Sequence, residues 1–365
     1  MKKFRILIAT NAPISANFGA GQMAINLAEA LREQGHEVIL WSPHPMQNLT
    51  RWWQGFQRIQ LVRSKLDRFI ATQDKFDIID ASSELITKQI AKSGLVVARS
   101  VQPQLLYMLC DLKDSLKKDL KKILLLPFNC LLSIFLTYLV IQGWRRASYI
   151  LCLGTLELGW MKKWFPCWES KLIYYVNALS KTDQVKLANI RRNRKNSQRE
   201  SIKFLWIGRW VPHKGIHELL NFIIDRMQSQ PQDTFTIAGC GTNAEQNFST
   251  ELIHSGKVTI VPFFNRQELY SLLASHDVGL FTSKVEGWGL VLNEMLESGM
   301  PIFATRAGGV VDLQTLFDKM LMLFPPSPKL TNNILTYEFP DDYYKLFTWE
   351  KIGEKYLNQI SSHVK

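Results

Sequence analysis

Residues 4–42 read FRILIATNAPISANFGAGQMAINLAEALREQGHEVILWS, and the change of hydrophobic period inside them decides the fold class. "FRILIAT" is a short, continuous apolar run, which suits a buried strand. After the glycine-containing loop "NFGAGQ" the period lengthens: Ala24, Leu27, Ala28 and Leu31 recur at helical spacing, and Gly35 supplies a C-terminal stop. "EVILWS" is then the next strand. Strand, loop, helix and strand in this order open a doubly wound α/β domain, and "FDIIDAS", "GLVVARS" and "ASYILCLG" continue it as further short strands. The basic start "MKK" imitates a signal peptide, but its apolar stretch is only "ILIA" before Thr10 and Asn11, so we read it as the first buried strand.

The alternation begins again further on. From about residue 189 the chain reads "NIRRNRKNSQRES", polar, basic and without a hydrophobic period, which predicts a solvated linker. Then come strand "IKFLWIG", helix "GIHELLNFIIDRMQ", strands "DTFTIAG" and "KVTIVPF", helix "RQELYSLLAS", strand "VGLFTS", helix "LVLNEMLES" and strand "PIFAT". A chain of 365 residues exceeds the usual single core. We expect two Rossmann-like domains facing across a cleft, over 1–185 and 202–345, with a linker over 186–201 and a helix over 346–365. That last helix, "FTWEKIGEKYLNQISS", carries Trp349, Ile352 and Tyr356 on one side.

Composition narrows the partners. With 46% hydrophobic and 21% charged residues the chain is globular, and 44 Lys and Arg against 32 Asp and Glu give a net charge of +12, which favours polyanions such as nucleotide phosphates or anionic lipid. The cations are dispersed and no aromatic-basic recognition motif appears, so no nucleic acid is expected as a partner. Cys110, Cys130, Cys152, Cys167 and Cys240 are scattered and lack CxxC spacing, which supports neither a disulfide framework nor a zinc site and fits a cytoplasmic location. Residues 123–143, "ILLLPFNCLLSIFLTYLVIQG", follow the basic run "KDSLKKDLKK". Three readings are open for them: a buried core helix pair, an interfacial helix docking on an anionic membrane surface, or a span.

Two loops carry candidate chemistry. "WIGRWVPHKG" places Arg209 and Lys214 just past the carboxyl end of a strand, with Gly208 and Gly215 relieving crowding. Two cations there suit a diphosphate, although basic loop residues are commonly just solvated. "SKVEGWGLVLNEMLESGMP" puts Gly287 and Gly289 before a helix starting near Leu290, whose first N–H groups, including that of Val291, and positive dipole end invite a phosphate. Glu294 would repel a phosphate and suits a ribose diol; Glu286 lies on the other side, where a sugar would sit. An ordinary acid-rich helix start is the competing reading.

Together "GRWVPHKG", "IAGCGTN", "EGWGLVLNEMLESGMPIFAT" and "RAGGVVDL" resemble the C-terminal domain of the family-4 (group 1) GT-B glycosyltransferases, and "NFGAGQMAINLAEALREQGHEV" is similar to their N-terminal glycine loop and first helix. The E-x7-E pair Glu286 and Glu294 is the most specific element. The resemblance makes 1–185 the acceptor-side domain, 202–345 the nucleotide-sugar-binding domain and 346–365 a helix that returns to the first domain. It implies a retaining, metal-independent transferase without cofactor. It would move a sugar from a nucleotide-diphosphate-sugar donor to a saccharide or lipid-linked acceptor in cell-envelope or polysaccharide biosynthesis, in the cytoplasm or peripherally on the inner face of the membrane. It implies that Arg209 and Lys214 neutralise the diphosphate, that Glu286 faces the transferred sugar and Glu294 the ribose, that Gly289, Leu290 and Val291 hold the phosphate, and that Gly19, Ala20 and Gly21 close over it. The chain departs from the family at Phe18, where a glycine is common, at Val101 and Gln102, where many members have a histidine, at Asn177-Ala178 in place of Asn-Gly, and in a shortened stretch after Asp312. These departures leave, as the alternative, a catalytically degenerate GT-B protein that binds a nucleotide sugar or a partner enzyme without turnover.

Overall fold

A computed structural model of the chain describes residues 2–15, 19–46, 54–99, 106–107, 109–110, 120–194, 201–326 and 339–361. They form two units, Met1–Ala178 with Leu346–Lys365, and Leu179–Lys345. In the first, β1 (Arg5–Ala9), β2 (Glu37–Trp41), β3 (Ile78–Ser82), β4 (Leu95–Arg99), β5 (Tyr149–Leu153) and β6 (Leu172–Tyr175) make one sheet in the order β2-β1-β3-β4-β5-β6. All its pairings are parallel. Continuous apolar strands follow from burial on both faces: Ile6, Leu7, Ile8, Ile78, Ile79 and Val97 are all at most 1% exposed.

In the second unit β7 (Lys203–Ile207), β8 (Thr234–Ala238), β9 (Val258–Val261), β10 (Val278–Phe281), β11 (Ile302–Ala304) and β12 (Leu321–Leu323) form a parallel sheet in the order β12-β11-β10-β7-β8-β9. The order reverses between β7 and β10, which pair Val278 with Phe204 and Leu280 with Trp206. Loops leaving the carboxyl ends of two strands that wind in opposite directions diverge, and the crevice between them is where such sheets take ligands.

The boundary between the units corrects the expected division. Residues Lys181–Asn193 are a helix of the second unit, not the end of the first domain and part of a linker; the Ser180 side chain caps it by accepting the Asp183 N–H at 3.1 Å. The basic run that looked solvated is partly spoken for. Arg191 Nη1 donates to the Glu297 carboxylate at 2.8 Å and to the Glu297 carbonyl at 2.9 Å, while Arg194 donates to the carbonyls of Ser298 (2.7 Å) and His276 (2.8 Å). These are the carbonyl-rich C-termini of two helices, Leu290–Glu297 and Arg266–Ser275, whose last oxygens have no partner within their own helices. Residues 195–200 of the expected linker lie outside the described residues.

The tail helix, Trp349–Ser361, belongs to the first unit and buries Trp349, Ile352 and Tyr356, with Trp349 Nε1 donating to the Ala178 carbonyl at 3.1 Å. The apolar 123–143 stretch is part of one helix, Leu120–Arg146, with Pro127 inside it, so of the three open readings the helix pair gives way to a single element. Its C-terminal half is core: Leu139, Val140 and Trp144 are buried, and a Cβ on Gly143 would come 1.9 Å from the Ser83 carbonyl oxygen. Pro127–Arg146 is long and apolar enough to cross a membrane by length and composition. On its outer side Leu131, Ile134 and Tyr138 are more than half exposed. The side chains of Lys117, Lys118, Lys121 and Lys122 lie outside the described residues.

Candidate functional site at the switch point of the second sheet

The loops after β7 and β10 are stitched together before any candidate side chain is considered. Trp206 Nε1 donates to Thr282 Oγ1 at 3.0 Å, and that hydroxyl donates to the Lys214 carbonyl at 2.7 Å. Lys284 N–H donates to the His213 carbonyl at 2.8 Å. Gly215 allows the approach: it holds φ at +69°, and a Cβ there would sit 1.9 Å from the Thr282 carbonyl oxygen. Lys214 and Glu286 are thereby brought together, Nζ pairing with Oε2, and Ser283 Oγ donates to the same oxygen at 3.3 Å. Both side chains are under 20% exposed. Arg209 is exposed on the same loop after β7, and Gly208 N–H is held by the Ala238 carbonyl at 3.0 Å.

The helix Leu290–Glu297 starts from Gly289, whose φ of +82° is left-handed and whose Cβ would lie 2.8 Å from the Phe281 ring. This turn lets Leu290 and Val291 present first-turn N–H groups, while Leu292 N–H bonds back to the Gly289 carbonyl at 2.9 Å. One turn on, Glu294 is buried and engaged by a residue the sequence did not point to. Arg266 Nη1 donates to Glu294 Oε1 at 2.5 Å and Nε to Asp183 Oδ1 at 3.0 Å, while Nη2 lies 2.8 Å from Asp183 Oδ2 without hydrogen-bond alignment. Tyr270 also donates to Asp183, at 2.5 Å. Burial pushes the Glu294 carboxyl above its ordinary range, with Arg266 opposing. Burial acts the same way on Asp183, but hydrogen bonds from Arg266, Tyr270 and Ser180 outweigh it and hold that carboxyl below the usual range. Burial and then Asp183 push the Tyr270 hydroxyl up to about 12. Nothing in the sequence singles out Arg266: it is the first residue of the helix Arg266–Ser275, where the dipole mildly disfavours a cation, but a solvated arginine is tolerated there as well.

Residues 189–334 match the model of the glycosyl transferases group 1 family. The match falls within the second unit. The chain is 30% identical over 107 residues to the uncharacterized glycosyltransferase YqgM of Bacillus subtilis, covering 29% of this chain and 30% of that one. It is 31% identical over 146 residues to an uncharacterized 41.2 kDa protein of the cps region of Klebsiella pneumoniae, covering 40% and 39%. The aligned stretches thus span 30% to 39% of those relatives' length. Fold similarity reaches further. A sucrose-phosphate synthase from Thermosynechococcus elongatus has a TM-score of 0.68 at 14% identity, covering 98% of this chain and 99% of that one. HepE of Anabaena, crystallised in complex with UDP and glucose, has a TM-score of 0.57 at 17% identity, covering 98% and 100%. The chain has the GT-B fold.

Within the second unit a buried polar chain holds the glycine loop from behind. Trp288, between Gly287 and Gly289, donates through Nε1 to Asn293 Oδ1 at 2.7 Å, and Asn293 Nδ2 donates to Tyr343 Oη at 2.9 Å. The "RAGG" turn closes over the same tryptophan: Gly309 N–H donates to the Trp288 carbonyl at 2.8 Å, and a Cβ on Gly308 would lie 2.4 Å from that oxygen. Among the expected site residues, Gly208, Arg209, Lys214, Glu286, Gly287, Gly289, Leu290, Val291 and Glu294 share the domain's switch-point loops and the helix that follows. Gly19 and Gly21 belong to the other unit, at the start of the helix Gly19–Glu33. There Gly21 answers a packing demand, since a Cβ would fall 2.4 Å from the Pro13 carbonyl oxygen and 2.5 Å from that of Ser15. Phe18, Val101 and Gln102 lie outside the described residues.

Proposed function

We propose that the protein is a retaining glycosyltransferase that takes its sugar from a nucleoside-diphosphate donor held by the second unit. The observation that carries the proposal is the meeting of Lys214 and Glu286 at the sheet's switch point, beside the N-terminus of the helix Leu290–Glu297. A diphosphate placed there draws Lys214 and Arg209 and accepts from the N–H groups of Leu290 and Val291, so its growing negative charge is met by fixed dipoles and two cations rather than by a metal or cofactor. Glu286, relieved of Lys214, then faces the sugar, and Glu294 takes the ribose hydroxyls. The anomeric carbon exchanges its bond to the departing phosphate oxygen for one to the acceptor hydroxyl oxygen, and the hydroxyl proton leaves with the diphosphate.

A saccharide or lipid-linked acceptor in envelope or polysaccharide biosynthesis agrees with the Klebsiella relative of the cps region and with the fold neighbour WaaG, a glycosyltransferase involved in lipopolysaccharide biosynthesis. Leu131, Ile134 and Tyr138 on one exposed side of the helix Leu120–Arg146, preceded by the lysines of 117–122, support a peripheral position on the inner face of an anionic membrane, with the rest in the cytoplasm.

A thermal-shift screen over UDP, GDP, ADP and TDP sugars is expected to raise the melting temperature with one base. Glu286→Ala, Arg209→Ala and Lys214→Ala should then each cut transfer by about 100-fold or more while remaining folded. Full activity in all three rejects the site; donor binding without product from any acceptor mixture favours a degenerate binding protein.

A further inference from the structure

The side chain assigned to the donor's ribose does not stand alone. Glu294 is 6% exposed, sits inside a helix rather than at its anion-favouring end, and gives Oε1 to Arg266. A carboxylate so placed without a cation takes up a proton or turns away, because a buried charge is costly unless paired. Arg266 in turn is pinned from the opposite side by Asp183, itself fixed by Ser180 Oγ (2.7 Å) and Tyr270 Oη. The order is therefore Glu294, Arg266, Asp183, then Ser180 and Tyr270, running from the helix of the E-x7-E motif to the first turn of the helix Lys181–Asn193.

We infer that Arg266 is a positioning residue for nucleotide recognition: by occupying Oε1 it keeps Glu294 an ionised acceptor with Oε2 left for the sugar hydroxyls, and so sets how strongly the protein prefers a ribose diol over a deoxygenated ribose. This rests on the donor site proposed above. An ionised carboxylate only accepts, and hydrogen bonds to a charged group are the stronger kind, so an O–H donor is rewarded and its absence leaves a buried charge unsatisfied. A neutral Glu294 still donates and accepts, but through weaker, uncharged hydrogen bonds, so its preference for the diol is smaller. Among the described residues Arg266 bonds to Asp183 and Glu294, and Asp183 to Ser180, Arg266 and Tyr270, none of them in the diphosphate loops, so the effect belongs to ribose recognition and leaves the leaving-group chemistry alone.

The test measures dissociation constants by calorimetry for UDP and GDP, each beside its 2′,3′-dideoxy counterpart. The wild-type protein is expected to bind the better ribonucleotide at least about tenfold more tightly than its dideoxy form. In Arg266→Gln the ratio should fall to about twofold, chiefly through weaker ribonucleotide binding, with donor KM raised and kcat little changed; Arg266→Lys should restore part of it. Tyr270→Phe removes a partner of Asp183 but keeps the Arg266–Glu294 contact, and is expected to keep the ratio even though it lowers the melting temperature. A full ratio in Arg266→Gln overturns the inference while sparing the donor site. Loss of the ratio in Tyr270→Phe as well overturns it in favour of a general loosening. Failure of the wild-type protein to bind UDP, GDP, ADP or TDP at all sinks the donor site and this inference together.

Discussion

Gly289 and Gly241 hold nearly the same backbone, with φ of +82° and +70°, in very different surroundings. A methyl group on Gly241 meets nothing within 4 Å, whereas on Gly289 it would press on the Phe281 ring at 2.8 Å and 2.9 Å. Gly241→Ala should therefore cost only the left-handed strain of an L-residue, about 1–2 kcal/mol. Gly289→Ala should cost clearly more, about 2–4 kcal/mol, because the ring or the turn must also shift. Urea denaturation compares the two directly, and equal costs would mean that the Phe281 contact does not constrain the turn. The glycines of the "EGWG" stretch were visible in the sequence as a loop that admits a ligand. That Gly289 also has to avoid Phe281, eight residues earlier, was not, because the clash depends on the end of β10 folding back over the turn.

At the scale of elements, the helix Leu290–Glu297 is fastened at both ends by side chains from elsewhere. Its N-terminal loop hangs on the Trp288, Asn293, Tyr343 chain, and its C-terminus on Arg191 and Arg194. Tyr343 is fully buried, so Tyr343→Phe leaves Asn293 Nδ2 short of an acceptor where water is excluded. The loss should be about 1–2 kcal/mol of stability in chemical denaturation, with a donor KM raised several-fold and a smaller change in kcat. An unchanged KM would show that the loop keeps its geometry without this support. The helix itself was legible from its apolar residues and the glycine before it. Its anchors were not: nothing local to Asn293 names a partner, and "NIRRNRK" reads as a linker, until the distant tyrosine and the helix C-terminus arrive beside them.

For the molecule as a whole, acidity acts on both units in the same direction. In the first, His36 Nδ1 accepts the Phe4 N–H at 3.1 Å, a role that only neutral imidazole can fill. In the second, His276 lies 2.7 Å from the Leu272 carbonyl through Nδ1 and 2.7 Å from Thr236 Oγ1 through Nε2, so its neutral form donates to one and accepts from the other. Burial, with the N-terminal charge added for His36, lowers both from the ordinary 6.5. The unfolded chain therefore binds more protons than the folded one below pH 6.5, and this part of the stability, full above that pH, is lost as pH falls. Melting temperatures are expected to drop on acidification below 6.5, and to drop less steeply in His36→Asn and His276→Asn; parallel slopes would remove the two imidazoles from the account. By itself the sequence determined the parallel α/β class, the twofold repeat of strand and helix, and the loops at which Arg209, Lys214, Glu286 and Glu294 stand. Those properties reside in hydrophobic period, glycine placement and spacing, which are local. Tertiary structure alone decided that the chain changes unit at Ala178, that the apolar 123–143 stretch lies in one helix with Leu139, Val140 and Trp144 in the core, that Lys214 meets Glu286, and that Glu294 is held by Arg266 against Asp183. Each of these joins residues far apart in sequence, and the energy of a buried charge or a close backbone approach exists only after the strands between them have paired.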